Sequence, residues 1–204
     1  MRTLRYRYRV ALTIALGSGE VLACQPPAGF VNPPLPTIAP FDQLLAHTER
    51  KVVDKSLSAV MQGAARPLEE AIRPTHDLPG VSGTFRLSDG PYGTPGARRL
   101  VCLTDGNYSV EEVLLTESGS DGNRFRYVVW NYTSPKFRDV EYAVGEFVRT
   151  QPKPEETHVT WTYRFALRKG ADREEFRKTF LETSFADWMR NVFGTAQPKA
   201  QDEP

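Results

Sequence analysis

The sequence predicts an α+β domain: a curved antiparallel sheet of about seven strands, two short helices early in the order, and a long C-terminal helix covering the sheet. Three observations carry this expectation. Six strand-like runs follow one another after Gly80, separated by turn signals; the run HVTWTYRFAL (158–167) alternates with a period of two; and apolar residues return every three or four positions after Asp172.

The chain opens with Arg2, Arg5, Arg7 and Arg9 ahead of an apolar run from Val10 to Leu16. This order resembles a secretory signal peptide over residues 1–23, and VLAC resembles a lipobox in which Cys24 would carry a lipid and tether the chain to a membrane. A basic N-terminus that stays in the cytoplasm explains the same residues, because Glu20 interrupts the pattern and the apolar run is far shorter than the roughly 20 residues of a membrane span. Export and a cytoplasmic location therefore both stay open. The next stretch, CQPPAGFVNPPLPTIAPFD, places six prolines between residues 26 and 40. Proline removes backbone donors and disfavours helix and central strand, so residues 24–45 read as an extended linker.

The domain proper is expected over residues 46–194. TERKVVDKS reads as a short edge strand, and the helical spacing of LSAVMQGAARPLEEAIRPTH is broken at Pro67 into two short helices. The runs VSGTFRL, ARRLVCLT, YSVEEVLLTE, RFRYVVWNY, VEYAVGEFVRT and HVTWTYRFAL then follow, with Asp-Gly steps at 89–90, 105–106 and 121–122 marking hairpin turns. With no helices between them, these strands form a meander. Asp172 is placed to cap a helix with Glu175 three residues on, and Phe176, Phe180, Leu181, Phe185, Trp188 and Val192 line one side of it. Gly194 ends the helix, and residues 195–204 form a polar tail.

With 204 residues, 40% of them hydrophobic and 25% charged, the chain suits one globular domain. A formal charge of +1, with no basic block after the N-terminus, gives a nucleic-acid partner no electrostatic support. Cys24 and Cys102 stand far apart and lack the paired spacing of a zinc site, which leaves a disulfide open; His47, His76 and His158 are scattered, so no metal centre or other cofactor is expected. Gly90, Gly93 and Gly96 lack the lysine of a phosphate loop and suit a long hairpin turn, and no Gly-x-Ser-x-Gly elbow occurs.

The stretches DLPGVSGTFRLSDGPYGTPGARRLVCLTDG, YSVEEVLLTE, RFRYVVWNYTSP, VEYAVGEF and THVTWTYRFAL, covering roughly residues 46–193 with the element order, resemble the START-like SRPBCC superfamily, in particular its polyketide cyclase/dehydrase and lipid-transport branch. The resemblance implies a helix-grip fold, with an elongated hydrophobic cavity between helix and sheet. Its members bind lipids, sterols, polyketides or similar apolar molecules, and some cyclise or dehydrate the bound chain. It carries no shared catalytic motif onto these residues.

Candidate site residues follow from strand faces. Trp161, Tyr163 and Phe165 share a face directed at Phe185 and Trp188, either as solid core or as the lining of a cavity for a small hydrophobic ligand. Phe125, Tyr127, Val129 and Asn131 share another such face, with Arg124, Arg126, Val128, Trp130 and Tyr132 opposite. Asn131 then either orients a ligand or closes a turn. Tyr142, Val144 and Glu146 alternate on the next strand. If they point inward, Glu146 is a carboxyl raised by desolvation and serves as general acid or base with Tyr142, the enzymatic reading; if the register is opposite, Glu146 meets solvent. Glu111 and Glu112 are adjacent, so at least one is expected to be a surface charge.

Overall fold

Residues 24–195 are described here from a computed structural model; the signal-peptide reading of residues 1–23 and the tail beyond residue 195 lie outside the described residues. The strands are β1 (Leu45–Val53), β2 (Val81–Arg86), β3 (Arg98–Leu103), β4 (Tyr108–Ser118), β5 (Gly122–Trp130), β6 (Val140–Lys153) and β7 (Glu156–Leu167). They form one antiparallel sheet in the order β1-β7-β6-β5-β4-β3-β2, so β2 to β7 are the expected meander and β1 returns as an edge beside β7. Between β1 and β2 lie α1 (Leu57–Ala64), capped by Ser56, and α2 (Leu68–Ala71), which starts directly after Pro67. This is the predicted α+β architecture.

The C-terminal helix has an internal change of winding. A first turn, α3 (Arg173–Phe176), is capped by Asp172, whose carboxylate accepts from the amides of Glu174 and Glu175. A π-helical segment, Arg177–Phe185, follows, and α4 (Ala186–Thr195) completes the helix. The wider π turn suits this stretch, where the buried residues Phe176, Leu181 and Phe185 are spaced by five and then four positions. The Thr179 and Thr183 hydroxyls donate to the carbonyls of Glu175 and Thr179, four residues back (2.8 and 2.6 Å).

Beside β1 the helix is held by polar contacts. Arg190 donates to Glu49 (3.2 Å), which also bonds His47 (2.8 Å), and Lys51 Nζ donates to the Phe193 carbonyl (3.0 Å) at the negative end of the helix dipole. Partial burial lowers the Lys51 pKa.

The proline-rich segment is not a free linker. It lies across the sheet face opposite the helix, where Phe30, Ile38, Ala39 and Phe41 pack on Leu100, Val110, Val128, Trp130, Tyr142 and Val144. The Ala39 amide donates to the Tyr142 hydroxyl (2.8 Å), and Arg98 donates to the Pro33 carbonyl (2.9 Å). Cys24 is joined to Cys102 on β3 by a disulfide with Cα atoms 5.7 Å apart. The expectation that Cys24 carries a lipid is corrected by this bond, since a sulfur committed to Cys102 has no thiol to alkylate. Proline's lack of donors kept the segment out of the sheet, as expected, but its apolar side chains serve as a cover. The result is three layers: strap, sheet and helix.

Candidate functional site

Strand register sorts the helix-facing side chains into four rungs. Asn123, Arg149 and Val159 form the first, and Phe125, Phe147 and Trp161 the second. Val113, Tyr127, Gly145 and Tyr163 form the third. The fourth is Arg99, Glu111, Val129, Ala143 and Phe165.

The predicted wall residues Phe125, Tyr127, Val129, Trp161, Tyr163 and Phe165 therefore meet on one face, packed with Phe185 and Trp188 from the helix. Phe147 stacks on Trp161 (centroids 4.8 Å apart), Phe185 meets Phe165 and Tyr163 edge-on (4.8 and 5.0 Å), and Trp188 reaches Trp161 (5.6 Å). The middle of the wall is thus filled by the protein's own rings.

Their polar atoms satisfy one another. Trp161 Nε1 donates to the Tyr127 hydroxyl (3.2 Å), which donates to the Tyr163 hydroxyl (2.8 Å). Gly145 makes this chain geometrically feasible: a Cβ there would overlap the Tyr127 ring. Burial raises the pKa values of Tyr127 and Tyr163, so both phenols stay protonated, Tyr127 donating and Tyr163 accepting.

At the fourth rung the wall becomes polar. Glu111 is 5% exposed, pairs with Arg99 Nη2 (2.9 Å) and accepts from the Tyr92 hydroxyl, while the Arg99 guanidinium lies 3.7 Å above the Tyr92 ring. Tyr92 comes from the glycine-rich turn and also meets Phe125 edge-on (6.3 Å). Its phenol is pushed up by burial and by the adjacent Glu111. Among the described residues, the buried Arg99 Nε has no hydrogen-bond partner.

Glu112 faces the strap side, where it pairs with Arg98, and is 8% exposed. Both acids are therefore buried, against the expectation of a surface charge, because Tyr92 of the glycine-rich turn covers Glu111 and Arg98, bonded to the strap, covers Glu112. The sequence did hold a signal: Arg98-Arg99 and Glu111-Glu112 flank the Asp105-Gly106 turn at matching offsets, the pattern of cross-strand pairing.

Three expectations about facing are corrected. Tyr142 and Val144 pack under the strap, and Glu146 sits on that same side, because Ala143, Gly145 and Phe147 take the helix-facing positions beside Phe165, Tyr163 and Trp161. Tyr142 and Glu146 thus cannot supply acid/base chemistry at the wall, and Val144 cannot line it. Asn131 adopts φ 55° just after β5 ends, and this left-handed residue resets the alternation so that Tyr132 packs with the helix-facing cluster, stacked on Phe137 (4.8 Å). Asn131 is a turn residue by conformation.

Glu146 is instead the hub of an ion-pair network, accepting from Arg124 (2.8 Å), Arg126 (2.6 Å) and Arg164 (3.3 Å), with Phe41 of the strap beneath the last two guanidinium groups. Desolvation would raise its carboxyl, but the hydrogen bonds from Arg126 and Arg124 outweigh that and lower the pKa. A carboxyl lowered in the folded state stabilises the fold above its unfolded pKa, and that contribution is lost as pH falls through the folded value. Glu146→Gln is therefore expected to cost on the order of 3 kcal/mol at neutral pH, with the deficit shrinking below about pH 4. Denaturant unfolding of both proteins from pH 7 to pH 3 checks this; a deficit that stays constant contradicts it.

No family model and no curated protein matches the chain. Among solved structures, a protein from Nitrosospira multiformis is 17% identical with a TM-score of 0.52, over 75% of this chain and 97% of that one. Ara h 8.0201 is 10% identical with a TM-score of 0.51, over 75% and 97% of the two chains. The protein XoxI from Bacillus cereus is 14% identical with a TM-score of 0.50, over 74% and 92%. What these likenesses show is the fold: a helix-grip arrangement of a curved antiparallel sheet and a long C-terminal helix.

Proposed function

We propose that this chain is a binding protein for a small hydrophobic molecule that carries a hydrogen-bond acceptor, held on the helix-facing wall between the sheet and the C-terminal helix. The observation that supports this reading best is the polar cluster on the fourth rung. A buried ion pair is weak as a stabilising device, because desolvation offsets most of its attraction. An ion pair set into an aromatic wall with one buried guanidinium donor, Arg99 Nε, still uncommitted has the makeup of a binding site: mostly apolar, with a few placed polar groups. Tyr92 covers this cluster from the glycine-rich turn, so the ligand reaches Arg99 by displacing Tyr92, and Phe125 supplies the adjoining apolar contact.

Two uncharged fluorescent probes test this: a naphthyl ketone, and the same naphthalene without its carbonyl. The ketone is expected to bind about tenfold more tightly, equivalent to ~1.4 kcal/mol, and Arg99→Lys, which removes Nε–H while keeping the charge, is expected to erase the preference. Phe125→Ala is expected to weaken both probes by about tenfold, and Thr160→Ala, on the opposite face, by less than about twofold. Equal effects from Phe125→Ala and Thr160→Ala, or no binding of either probe, would defeat the reading.

A further inference from the structure

We propose that Arg149 holds the anionic head group of that ligand, which makes the ligand class an amphiphile: an apolar body ending in a carboxylate or a similarly charged group. This rests on the wall being a ligand site and adds what the ligand carries at its other end.

Arg149 lies on the first rung, beyond Phe147 and Trp161, and is only 7% exposed. Its Nη1 donates to Asn123 Oδ1 (2.8 Å), and its guanidinium rests over the Phe147 ring (4.6 Å). A guanidinium has five N–H donors. Among the described residues no other hydrogen bond, and no carboxylate, reaches this one. The arginines around it in the sheet differ: Arg98 has Glu112, Arg99 has Glu111, and Arg124, Arg126 and Arg164 share Glu146. Burial pushes the Arg149 pKa down to about 10, so the group is still a cation at neutral pH. A desolvated cation without a counter-ion destabilises the fold, and a bound anion removes that cost.

The surroundings suit an anion. Asn123 is locked, its Nδ2 donating to the Glu117 carbonyl (3.0 Å) and the Ser118 hydroxyl (3.2 Å), which holds Oδ1 on Arg149. Asn123 also lines a depression of about 420 Å³ between the β4–β5 hairpin and the start of α1, together with Ser56, Ser58, Ser120 and Gln151, and no acidic residue lines it. From the Arg149 rung to the Ala143 rung is six residues of β6, roughly 20 Å at ~3.3 Å per residue, and rings fill the wall between them, so a ligand that touches both ends, a chain of a dozen or more carbons, must displace Phe185 and Trp188 of the helix from Tyr163 and Trp161. The two ends of the wall then read different chemistry. Arg99, already neutralised by Glu111, offers a donor to an uncharged acceptor, and Arg149 offers an unopposed charge.

The test uses the full chain with dodecanoate and dodecanol, both below their aggregation concentrations, each competing with the naphthyl ketone probe. Dodecanoate is expected to bind at least tenfold more tightly than dodecanol and to raise the Tm more. In Arg149→Met the ratio is expected to fall to about one. The ratio is also read in Arg149→Gln, whose amide keeps a donor for Asn123, with far-UV circular dichroism showing that each variant is folded. Equal affinity of the two amphiphiles for the native protein, or a preference that persists in both folded variants, overturns the role of Arg149 and leaves the hydrophobic-ligand reading standing. Failure of both amphiphiles and of the ketone to bind overturns the two together.

Discussion

Gly145→Ala is expected to lower the unfolding free energy by about 3 kcal/mol, at the upper end of what overpacking a filled core costs. The Tyr127 ring lies over Gly145 in the space an alanine Cβ would take. Tyr127 has little freedom to withdraw, since it is 6% exposed, touches Phe125 and Phe147, and donates a hydrogen bond to the Tyr163 hydroxyl while accepting from Trp161. Moving the ring breaks that chain and leaves buried donors without partners, which adds to the steric penalty. A double-mutant cycle isolates the cause. In a Tyr127→Leu background the Gly145→Ala change is expected to cost less than about 1 kcal/mol, a coupling of the size found between residues in contact. Additive costs in the two backgrounds would mean that backbone conformation at Gly145, and not the ring above it, sets the penalty.

The second large effect concerns the strap. Breaking the Cys24–Cys102 bond with Cys24→Ser, or with reductant, is expected to cost about 4 kcal/mol by loop-closure entropy, because the bond spans a sequence separation of 78. The strap has little else to hold it in place. Prolines deny it most ladder hydrogen bonds, so its docking depends on Phe30, Ile38 and Phe41, the Ala39–Tyr142 bond and the Arg98–Pro33 bond. Hydrogen exchange at the Ala39 amide is expected to speed up by at least tenfold on reduction, while amides in the β6–β7 ladder change much less. An unfolding midpoint that ignores reductant would show that the strap docks without its covalent anchor, and that the disulfide is incidental to stability.

Much of this architecture was legible because period and turn chemistry are local properties. The alternation of HVTWTYRFAL, the Asp-Gly steps, Pro67 between α1 and α2, and Asp172 at the helix start each depend on a few neighbouring residues, and each appears where expected. Trp161, Tyr163 and Phe165 were placed on the helix side for the same reason. The strap was missed because composition describes what proline prevents. It does not describe what a two-sided apolar sheet requires. Val128 and Trp130 alternate with Tyr127 and Val129, so both faces of β5 needed cover, and that was the available signal.

By itself, then, the sequence determined the element order, the antiparallel meander, the closing helix and the aromatic row, through patterns that any short window carries. Only the tertiary structure decided which face of β6 meets the helix. Every residue from Val140 to Gly145 except Glu141 is apolar or side-chain-free, so polarity alone cannot choose, and pairing with β7 settles it by setting Ala143 against Phe165 and Gly145 against Tyr163. That single register sends Glu146 into the three-arginine network under the strap and brings Arg149 to the helix side, where no acid among the described residues pairs with it. The candidate chemistry moved with it, because side-chain partners on a sheet come from neighbouring strands, and those are distant in sequence.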